Sequence, residues 1–198
     1  MKKDIFTIEP KFLMSVANLD QLPKLKNTEI AFIGKSNVGK STLINNILGK
    51  KIALTSKTPG RTKQLNFFLL DNKLAIIDMP GYGYAKTSRS DINHWTRLSF
   101  GYFHNSIKLK RVFLLIDIRR GLKEKDLEII DILNKIPVGF QVILTKSDQL
   151  KEHEITKMIE QISKESIKYP AMNPKILISS SKYGSGIEEI KNEIIELC

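Results

Sequence analysis

Short apolar runs alternate with amphipathic segments along the chain from Glu29 onward. The runs have the length of β-strands and predict six of them, at 29–33, 64–70, 73–78, 111–117, 139–145 and 175–179. Between them, apolar residues recur at helical spacing and predict helices at 40–49, 91–105, 123–135, 151–168 and 185–197. Because Val112–Ile116 and Val142–Leu144 are apolar throughout, we expect strands covered on both faces.

The connections between these elements indicate the fold class. Asp71–Asn72 lies between two apolar runs and predicts a hairpin, hence one antiparallel pair. The remaining alternation of strands and helices predicts crossover helices and parallel neighbours. We therefore expect a three-layer α/β fold whose sheet is mostly parallel and six-stranded, with one antiparallel strand.

Residues 1–28 do not follow this alternation and are expected to form an N-terminal extension that packs on a domain spanning 29–198. A short helix is predicted around Lys11–Asn18, and Leu22–Pro23 predicts a break after it. No apolar run is long enough to cross a bilayer, and charged residues interrupt the start of the chain where a signal peptide needs an apolar core. We expect a cytoplasmic monomer with no membrane partner.

The net charge of the chain indicates what kind of partner it contacts. The chain of 198 residues carries 32 basic and 21 acidic side chains, a formal charge of +11. Such an excess is typical of proteins that contact a polyanion, most often nucleic acid. The alternative is a lysine-rich surface that is merely solvated. The single cysteine, Cys198, and three scattered histidines offer no disulfide and no zinc spacing.

The string GKSNVGKS, residues 34–41, lies between the first predicted strand of the domain and the helix 40–49. The pattern Gly-x-x-x-x-Gly-Lys-Ser in this context predicts a loop whose backbone amides bind phosphate. Lys40 would reach the β- and γ-phosphates, and the Ser41 hydroxyl would ligate Mg²⁺. The alternative is a glycine-rich turn that precedes a helix by chance.

A second motif, AIIDMPGYG at residues 75–83, is an apolar strand that ends in a carboxylate. Asp78 can hold Mg²⁺ through water, and the Gly81 amide can meet the γ-phosphate. Taken alone, Asp-x-Pro-Gly is also a common turn. After a phosphate-binding loop, it indicates the second switch of a nucleotide-dependent protein.

A third motif, VILTKSD at residues 142–148, selects the base. The Asp148 carboxylate can accept hydrogen bonds from N1–H and the exocyclic amine of guanine, whereas N1 of adenine is itself an acceptor. Lys146 would lay its stem along the base plane. Asp148 could also cap the following helix, and both roles can hold together.

Two further stretches are ordinary polar loops when taken alone. KTPGRTKQLNFF, residues 57–68, contains a threonine that could close over Mg²⁺ and the γ-phosphate. ISSSKYGSG, residues 178–186, could offer backbone amides to the guanine carbonyl.

The ordered set GKSNVGKS, PGRT, DMPG, TKSD and ISSSK resembles the TRAFAC class of GTPases related to Era. The longer strings EIAFIGKSNVGKSTLIN, TSKTPGRTKQLNFF and DMPGYGYAK closely resemble the EngB (YihA/YsxC) family of ribosome-biogenesis GTPases. The resemblance runs from Glu29 to the C-terminus. It implies a P-loop NTPase fold of the Ras-like G-domain type, GTP hydrolysis, and roles in large ribosomal subunit assembly and in normal cell division and septation.

The resemblance also implies the site residues. Mg²⁺ would be held by Ser41 and Thr62 and, through water, by Asp78, while Asn37 would hold an activating K⁺. Lys40, Thr62 and Gly81 are the implied catalytic residues. The implied nucleotide-binding set is Gly34, Lys35, Ser36, Asn37, Val38, Gly39, Lys40, Ser41, Thr42, Gly60, Arg61, Thr62, Lys63, Gln64, Asp78, Met79, Pro80, Gly81, Thr145, Lys146, Ser147, Asp148, Ile178, Ser179 and Ser180.

Tyr82 stands where Ras-like GTPases place the glutamine that orients water, and a phenol cannot act in the same way from that position. We therefore expect slow hydrolysis that potassium at Asn37, ribosomal RNA, or both accelerate. Tyr82, Tyr84 and Trp95 could stack on RNA bases, although packing beneath the second switch is the expectation for Trp95.

The resemblance makes the loop of Thr62 the first switch and places the start of the second at 78–81. Basic residues lie in or near these two switch segments and could meet RNA phosphates, with a solvated rim as the alternative. They are Arg61, Lys63, Lys86, Arg89 and Arg97. Three hypotheses follow: a GTPase that docks on precursors of the large ribosomal subunit, a P-loop kinase or ATPase with no RNA role, and a non-catalytic RNA-binding module.

Overall fold

A computed structural model describes residues 5–54, 64–83 and 89–198, with 89–93 described by their backbone alone. The strands are β1 (Lys11–Val16), β2 (Thr28–Gly34), β3 (Leu65–Leu70), β4 (Leu74–Asp78), β5 (Leu109–Asp117), β6 (Phe140–Thr145) and β7 (Leu177–Ser179). The α-helices are α1 (Lys40–Leu48), α2 (Arg89–Asn105), α3 (Glu124–Leu133), α4 (Glu152–Ser166) and α5 (Ile187–Leu197). Every strand and helix predicted from Glu29 onward is present.

The strands form one sheet in the order β1-β3-β4-β2-β5-β6-β7. Parallel pairing joins β4, β2, β5, β6 and β7, whereas β3 runs antiparallel to both of its neighbours. The mostly parallel α/β fold is therefore confirmed, and β3 is the one strand whose direction is reversed. The sheet has seven described strands rather than six, because β1 joins its edge.

The predicted helix around Lys11–Asn18 is wrong, since this segment is the strand β1. It pairs antiparallel with β3, from Lys11 opposite Leu69 to Val16 opposite Leu65. Val16 is fully buried, and the Phe12 ring packs 5.8 Å from the ring of Phe68. The free hydrogen-bonding edge of β3 thus decides the conformation of a segment whose local pattern is weak.

Helices cover both faces of the sheet and create the three layers. Along β2, Ala31 and Ile33 face the cluster that includes apolar residues of α2, α3 and α4. Ile30 and Phe32 face the opposite cluster, with α1 and α5. Such two-sided burial explains why the central strands contain runs of consecutive apolar residues, at 30–33, 112–116 and 142–144, rather than apolar residues at alternate positions.

The hairpin predicted at Asp71–Asn72 is confirmed by the antiparallel pairing of β3 with β4. Asp71 adopts φ +52°, a left-handed conformation that aspartate tolerates in tight turns. Among the described helices, none combines the length and apolar character needed to cross a membrane.

Candidate nucleotide-binding site

The carboxyl ends of β2, β4, β5, β6 and β7 lie side by side at one edge of the sheet. The register pairs Phe32 with Asp78, Asp117 with Thr145, and Thr145 with Ser179. In open α/β sheets, loops at this edge form the ligand-binding crevice. The chemistry-bearing motifs of the sequence therefore meet here through topology.

Most of the predicted nucleotide-binding residues lie at this edge. They occupy the loop after β2 with the start of α1 (34–42), the loop after β4 (78–81), the loop after β6 (145–148) and the end of β7 (178–180). Gln64 lies directly before β3 and is exposed. Several predicted residues fall outside the described part of the chain: Gly60, Arg61, Thr62, Lys63, Tyr84, Lys86 and the side chain of Arg89.

The loop between β2 and α1 turns through left-handed conformations at Asn37 (φ +66°) and Gly39 (φ +102°). Gly39 is the N-cap of α1, and its φ is one that side chains with a Cβ rarely adopt. Lys40 and Ser41 then open the helix, where backbone N–H groups have no intrahelical acceptor. The loop therefore directs N–H groups and the positive end of a helix dipole towards one space, as binding of a phosphate requires.

Lys40, Ser41 and Asp78 form a buried polar cluster at this loop. The Lys40 ammonium and the Asp78 carboxylate form an ion pair in which each side chain is less than one-tenth exposed. The Ser41 hydroxyl lies 3.3 Å from Oδ2 of Asp78. Within the described residues, no group of three His, Cys, Asp or Glu side chains forms a metal-binding cluster. Hard oxygen atoms from Ser41 and Asp78 nonetheless suit Mg²⁺, which commonly takes few protein ligands.

The segment after β4 is bound directly to the phosphate loop. The Tyr82 N–H donates to the Gly34 carbonyl at 3.3 Å, and the Ser36 N–H donates to the Tyr82 carbonyl at 3.1 Å. A Cβ at Gly81 would lie only 3.2 Å from the Ser36 hydroxyl oxygen. Gly81 is thus held against the loop so closely that a larger residue would push the two segments apart.

Tyr82 faces the protein interior, which corrects the expectation that it could stack on RNA bases. The side chain is 6% exposed, and its hydroxyl donates to Oδ1 of Asp126 on α3 at 2.6 Å. Burial, followed by the charge of Asp126, raises the pKa of this phenol far above its ordinary value. Tyr82 is therefore a neutral hydrogen-bond donor that ties the second motif to α3.

Trp95 packs beneath the same segment, as expected. Its indole N–H donates to the Pro80 carbonyl at 2.7 Å, and its ring lies edge-on to Tyr82 at 6.2 Å. Residues of α2 and α3 thus hold the two sides of the segment that the sequence assigns to the second switch.

The residues after β6 connect the third motif to the phosphate loop. The Thr145 hydroxyl donates to the Val38 carbonyl at 2.8 Å. Lys146 adopts a left-handed φ of +62°, and its ammonium donates to the Asn37 carbonyl at 2.8 Å. The predicted base-selecting and phosphate-binding segments are therefore hydrogen-bonded to each other and form one unit.

Asp148 lies at the rim of this unit with both carboxylate oxygens in hydrogen bonds. Oδ1 accepts from the Ser180 hydroxyl at 2.6 Å, and Oδ2 accepts from the Gln149 amide at 2.5 Å. These bonds lower the pKa of Asp148, with Ser180 as the larger cause. Helix α4 begins at Glu152 with Lys151 as its N-cap, so Asp148 does not cap it.

Asp117 is a site residue that the sequence reasoning missed. It ends β5, and its Oδ2 accepts from the Lys146 ammonium at 2.9 Å and from the Arg119 guanidinium at 2.6 Å. Burial opposes its ionisation, but these bonds outweigh burial and hold the pKa of Asp117 well below its ordinary value. The signal was available, because β5 ends in an aspartate after an apolar run just as β4 does.

The end of β7 also differs from the predicted set. The Ser180 N–H donates to the Ser185 carbonyl at 3.0 Å and is not free for a ligand. The next N–H group, of Ser181, has no such bond to any described residue, and the Ser181 carbonyl accepts from Asn46 at 3.0 Å. Ser181 is therefore the better source of an amide for a base, although the predicted set stopped one residue earlier.

Known proteins with similar sequences are GTP-binding proteins, which agrees with the phosphate-loop geometry described above. The model of the 50S ribosome-binding GTPase family matches residues 29–146. A probable GTP-binding protein EngB from Chelativorans sp. (strain BNC1) is 41% identical over 194 residues, covering 93% of this chain and 86% of that protein. Its counterpart from Caulobacter vibrioides (strain NA1000 / CB15N) is 42% identical over 196 residues, covering 98% of this chain and 86% of that protein.

Solved structures show the same fold. The crystal structure of a probable GTP-binding protein EngB superposes with a TM-score of 0.68 at 26% identity, covering 85% of this chain and 97% of that chain. Era in complex with MgGDPNP and nucleotides 1506–1542 of 16S ribosomal RNA gives a TM-score of 0.69 at 26% identity. That alignment covers 87% of this chain but only 57% of Era. Because this chain is more than 40% identical to the two GTP-binding proteins EngB over nearly its whole length, it belongs to the EngB family of GTP-binding proteins and is a GTPase.

Proposed function

We propose that this GTPase acts as a slow nucleotide-dependent switch in the assembly of the large ribosomal subunit. The observation that carries the switch is the direct bonding of Tyr82 to Gly34 and Ser36 of the phosphate loop. A γ-phosphate bound at that loop would meet the Gly81 amide, so its loss on hydrolysis would change the contacts of this segment.

Three observations support a ribosomal partner. The formal charge is +11, the matched family is that of 50S ribosome-binding GTPases, and the related Era binds ribosomal RNA in its crystal structure. Arg97 is exposed on α2, close in sequence to the second switch, and is a candidate phosphate contact there. The role in normal cell division and septation that the family resemblance implies belongs to the same proposal, as do a monomeric state and a cytoplasmic location.

The proposed nucleotide site follows the predicted set of residues. Lys40 would contact the β- and γ-phosphates, Gly81 the γ-phosphate, and Asp148 the guanine edge. Mg²⁺ would be held by Ser41, by Thr62 and, through water, by Asp78; the 3.3 Å approach of Ser41 to Asp78 fits a shared metal. When bound, Mg²⁺ would neutralise charge that develops on the phosphates.

The ribosomal role is tested by cosedimentation of the full-length chain with mature and immature large ribosomal subunits, under a GTP analogue and under GDP. We expect preferential binding to immature large subunits in the triphosphate state only. The Lys40→Met/Asp78→Asn variant serves as the control, because it should lose the difference between the two nucleotides. Equal binding in both nucleotide states would contradict the switch, and no binding would contradict the ribosomal role.

Slow hydrolysis is the expected consequence of the position of Tyr82. The phenol donates to Asp126 at 2.6 Å, so this side chain is not available to orient an attacking water beside Gly81. Asn37 is exposed at the tip of the phosphate loop, and its amide oxygen is the kind of hard ligand that an alkali cation prefers. We propose that K⁺ at Asn37 supplies part of the missing acceleration.

Steady-state hydrolysis measured with K⁺ and then with Na⁺ tests this proposal. The rate should fall by about tenfold or more in Na⁺, as expected when a charge-stabilising contact is lost. The Asn37→Ala variant should show the low rate in both salts. A fast enzyme that is indifferent to the cation would contradict the proposal.

Two alternatives from the sequence no longer hold. This chain belongs to a GTPase family, and a GTPase is neither a P-loop kinase or ATPase nor a non-catalytic RNA-binding module.

A further inference from the structure

A second pocket lies against the phosphate loop, on the side of α3. It has a volume of about 360 Å³ and is bounded by 35–38, Gly83, 115–117, 119–121, Lys123, Asp126 and Lys146. Lys40, Ser41 and Asp148 do not line it. The pocket therefore adjoins the predicted nucleotide site and shares 35–38 and Lys146 with it, but it does not include the side chains that would hold Mg²⁺ and the guanine edge.

The lining of this pocket is strongly cationic. Five basic residues contribute to it: Lys35, Arg119, Arg120, Lys123 and Lys146. Among the described residues of the lining, two are acids, Asp117 and Asp126.

Both acids are already satisfied by the protein. Asp117 accepts from Arg119 and Lys146, which accounts for two of the five cations. Asp126 accepts from the Tyr82 hydroxyl at 2.6 Å and from the Lys123 backbone N–H at 2.9 Å. These hydrogen bonds fix the positions of both acids without removing their charge, so the five cations and two carboxylates of the described lining give it a net charge of +3.

Three of the five cations, Lys35, Arg120 and Lys123, are not held by Asp117. In the described part of the chain, no carboxylate forms an ion pair with any of them. The Lys35 stem lies across Gly83, with its Cε 3.1 Å from the place of a Cβ there, which directs it along the pocket wall. Arg120 and Lys123 are exposed at the pocket rim.

A concave surface concentrates the field of such charges more than a flat one does. Unpaired cations on a flat, solvated surface would need no explanation, but three around one cavity favour a multivalent anion. A nucleic-acid backbone suits them best, because Arg recognises phosphate oxygens through its fork of N–H groups and Lys contacts them as a point charge.

We propose that this pocket binds a backbone phosphate of RNA, with Lys35, Arg120 and Lys123 as the contacting side chains. The inference rests on the proposed ribosomal function and adds a docking surface whose three contacting cations lie outside the switch segments, although Gly83 of the second motif borders it. Because Tyr82 and the Asp117–Lys146 pair contribute contacts around the same pocket, RNA bound there would be in a position to influence the nucleotide site, and the nucleotide would influence RNA binding by the same factor.

The test compares two variants of the full-length chain bound to a GTP analogue. Arg120→Gln/Lys123→Gln removes two charges from the pocket rim. Lys108→Gln/Lys110→Gln removes the same charge from exposed positions at the opposite end of β5, roughly 23 Å of strand away. Binding to purified large ribosomal subunits, and to their protein-free RNA, is measured over a series of salt concentrations.

We expect the Arg120→Gln/Lys123→Gln variant to bind both probes about tenfold more weakly. The slope of log K against log salt, which is negative, should become smaller in magnitude by about two. The control pair should change neither quantity, and both variants should bind the GTP analogue like the wild type. If both variants lose the same binding affinity, or if neither loses any, the proposal that this pocket binds RNA is wrong. If the Arg120→Gln/Lys123→Gln variant binds subunits more weakly but binds protein-free RNA like the wild type, the pocket binds an acidic protein and the assignment to an RNA phosphate is wrong. If the wild type itself binds neither probe, the proposed ribosomal function fails and this inference fails with it.

Discussion

Asp148→Asn is expected to lower the affinity for GTP by about 100-fold or more and to create affinity for xanthosine triphosphate. The carboxylate can accept from both N1–H and the exocyclic amine of guanine, and hydrogen bonds to a charged group contribute about 1.5–3 kcal/mol each. An asparagine amide would present one N–H₂ group to the guanine amine, donor against donor. Xanthine has a carbonyl at that position and would accept from the amide instead.

The hydrogen bonds of Asp148 determine the pH range over which its carboxyl group is charged. Ser180 holds Oδ1 at 2.6 Å, and this bond contributes most to lowering the pKa of Asp148. A lowered carboxyl pKa means that the charged form persists at every pH above the ordinary value, and is lost only when the pH falls through the lowered one. Guanine affinity should therefore be constant across the neutral range.

Competition for a fluorescent GTP analogue by GTP, ATP and xanthosine triphosphate measures the base preference. Asp20→Asn, at an exposed position in the N-terminal segment, is the matched control and should behave like the wild type. Unchanged GTP affinity in the Asp148 variant, or ATP competing as well as GTP in the wild type, would show that another group selects the base.

The strands and helices from Glu29 onward were predictable because their signals are local. Apolar runs of strand length, helical periodicity and turn residues lie next to one another in the sequence, and the carboxyl-edge rule then brings the motifs together. Strand β1 was not predictable in this way. Its conformation depends on pairing with β3, and Lys11 lies opposite Leu69, which is far away in the chain.

The contacts that hold the site together were similarly hidden by sequence distance. Tyr82 is 44 residues from Asp126, and Lys146 is 29 residues from Asp117. Residue type alone made Tyr82 a candidate for base stacking, whereas burial makes it a structural donor. The sequence therefore predicted which segments meet at the carboxyl edge of the sheet, but the contacts between those segments required the structure.

Lys40→Met is expected to reduce GTP affinity by about 100-fold or more and also to destabilise the protein without nucleotide. The affinity falls because a cation is removed from the phosphate site. Stability falls because the carboxylate of Asp78, only 1% exposed, would lose its ion-pair partner and retain, among the described residues, the Ser41 hydroxyl. Removing one member of a buried ion pair typically costs about 3–5 kcal/mol of unfolding free energy.

The double variant Lys40→Met/Asp78→Asn separates the two effects. Replacing the carboxylate by an amide removes the uncompensated charge, so chemical denaturation should show that most of the lost stability returns. GTP affinity should stay low, because the phosphate site still has no Lys40 and the proposed Mg²⁺ site has lost a carboxylate. If the single variant is as stable as the wild type, the ion pair between Lys40 and Asp78 does not exist in solution in the absence of nucleotide. If the double variant regains GTP affinity, Lys40 acts on the nucleotide only by neutralising Asp78, and its assignment to the phosphates is wrong.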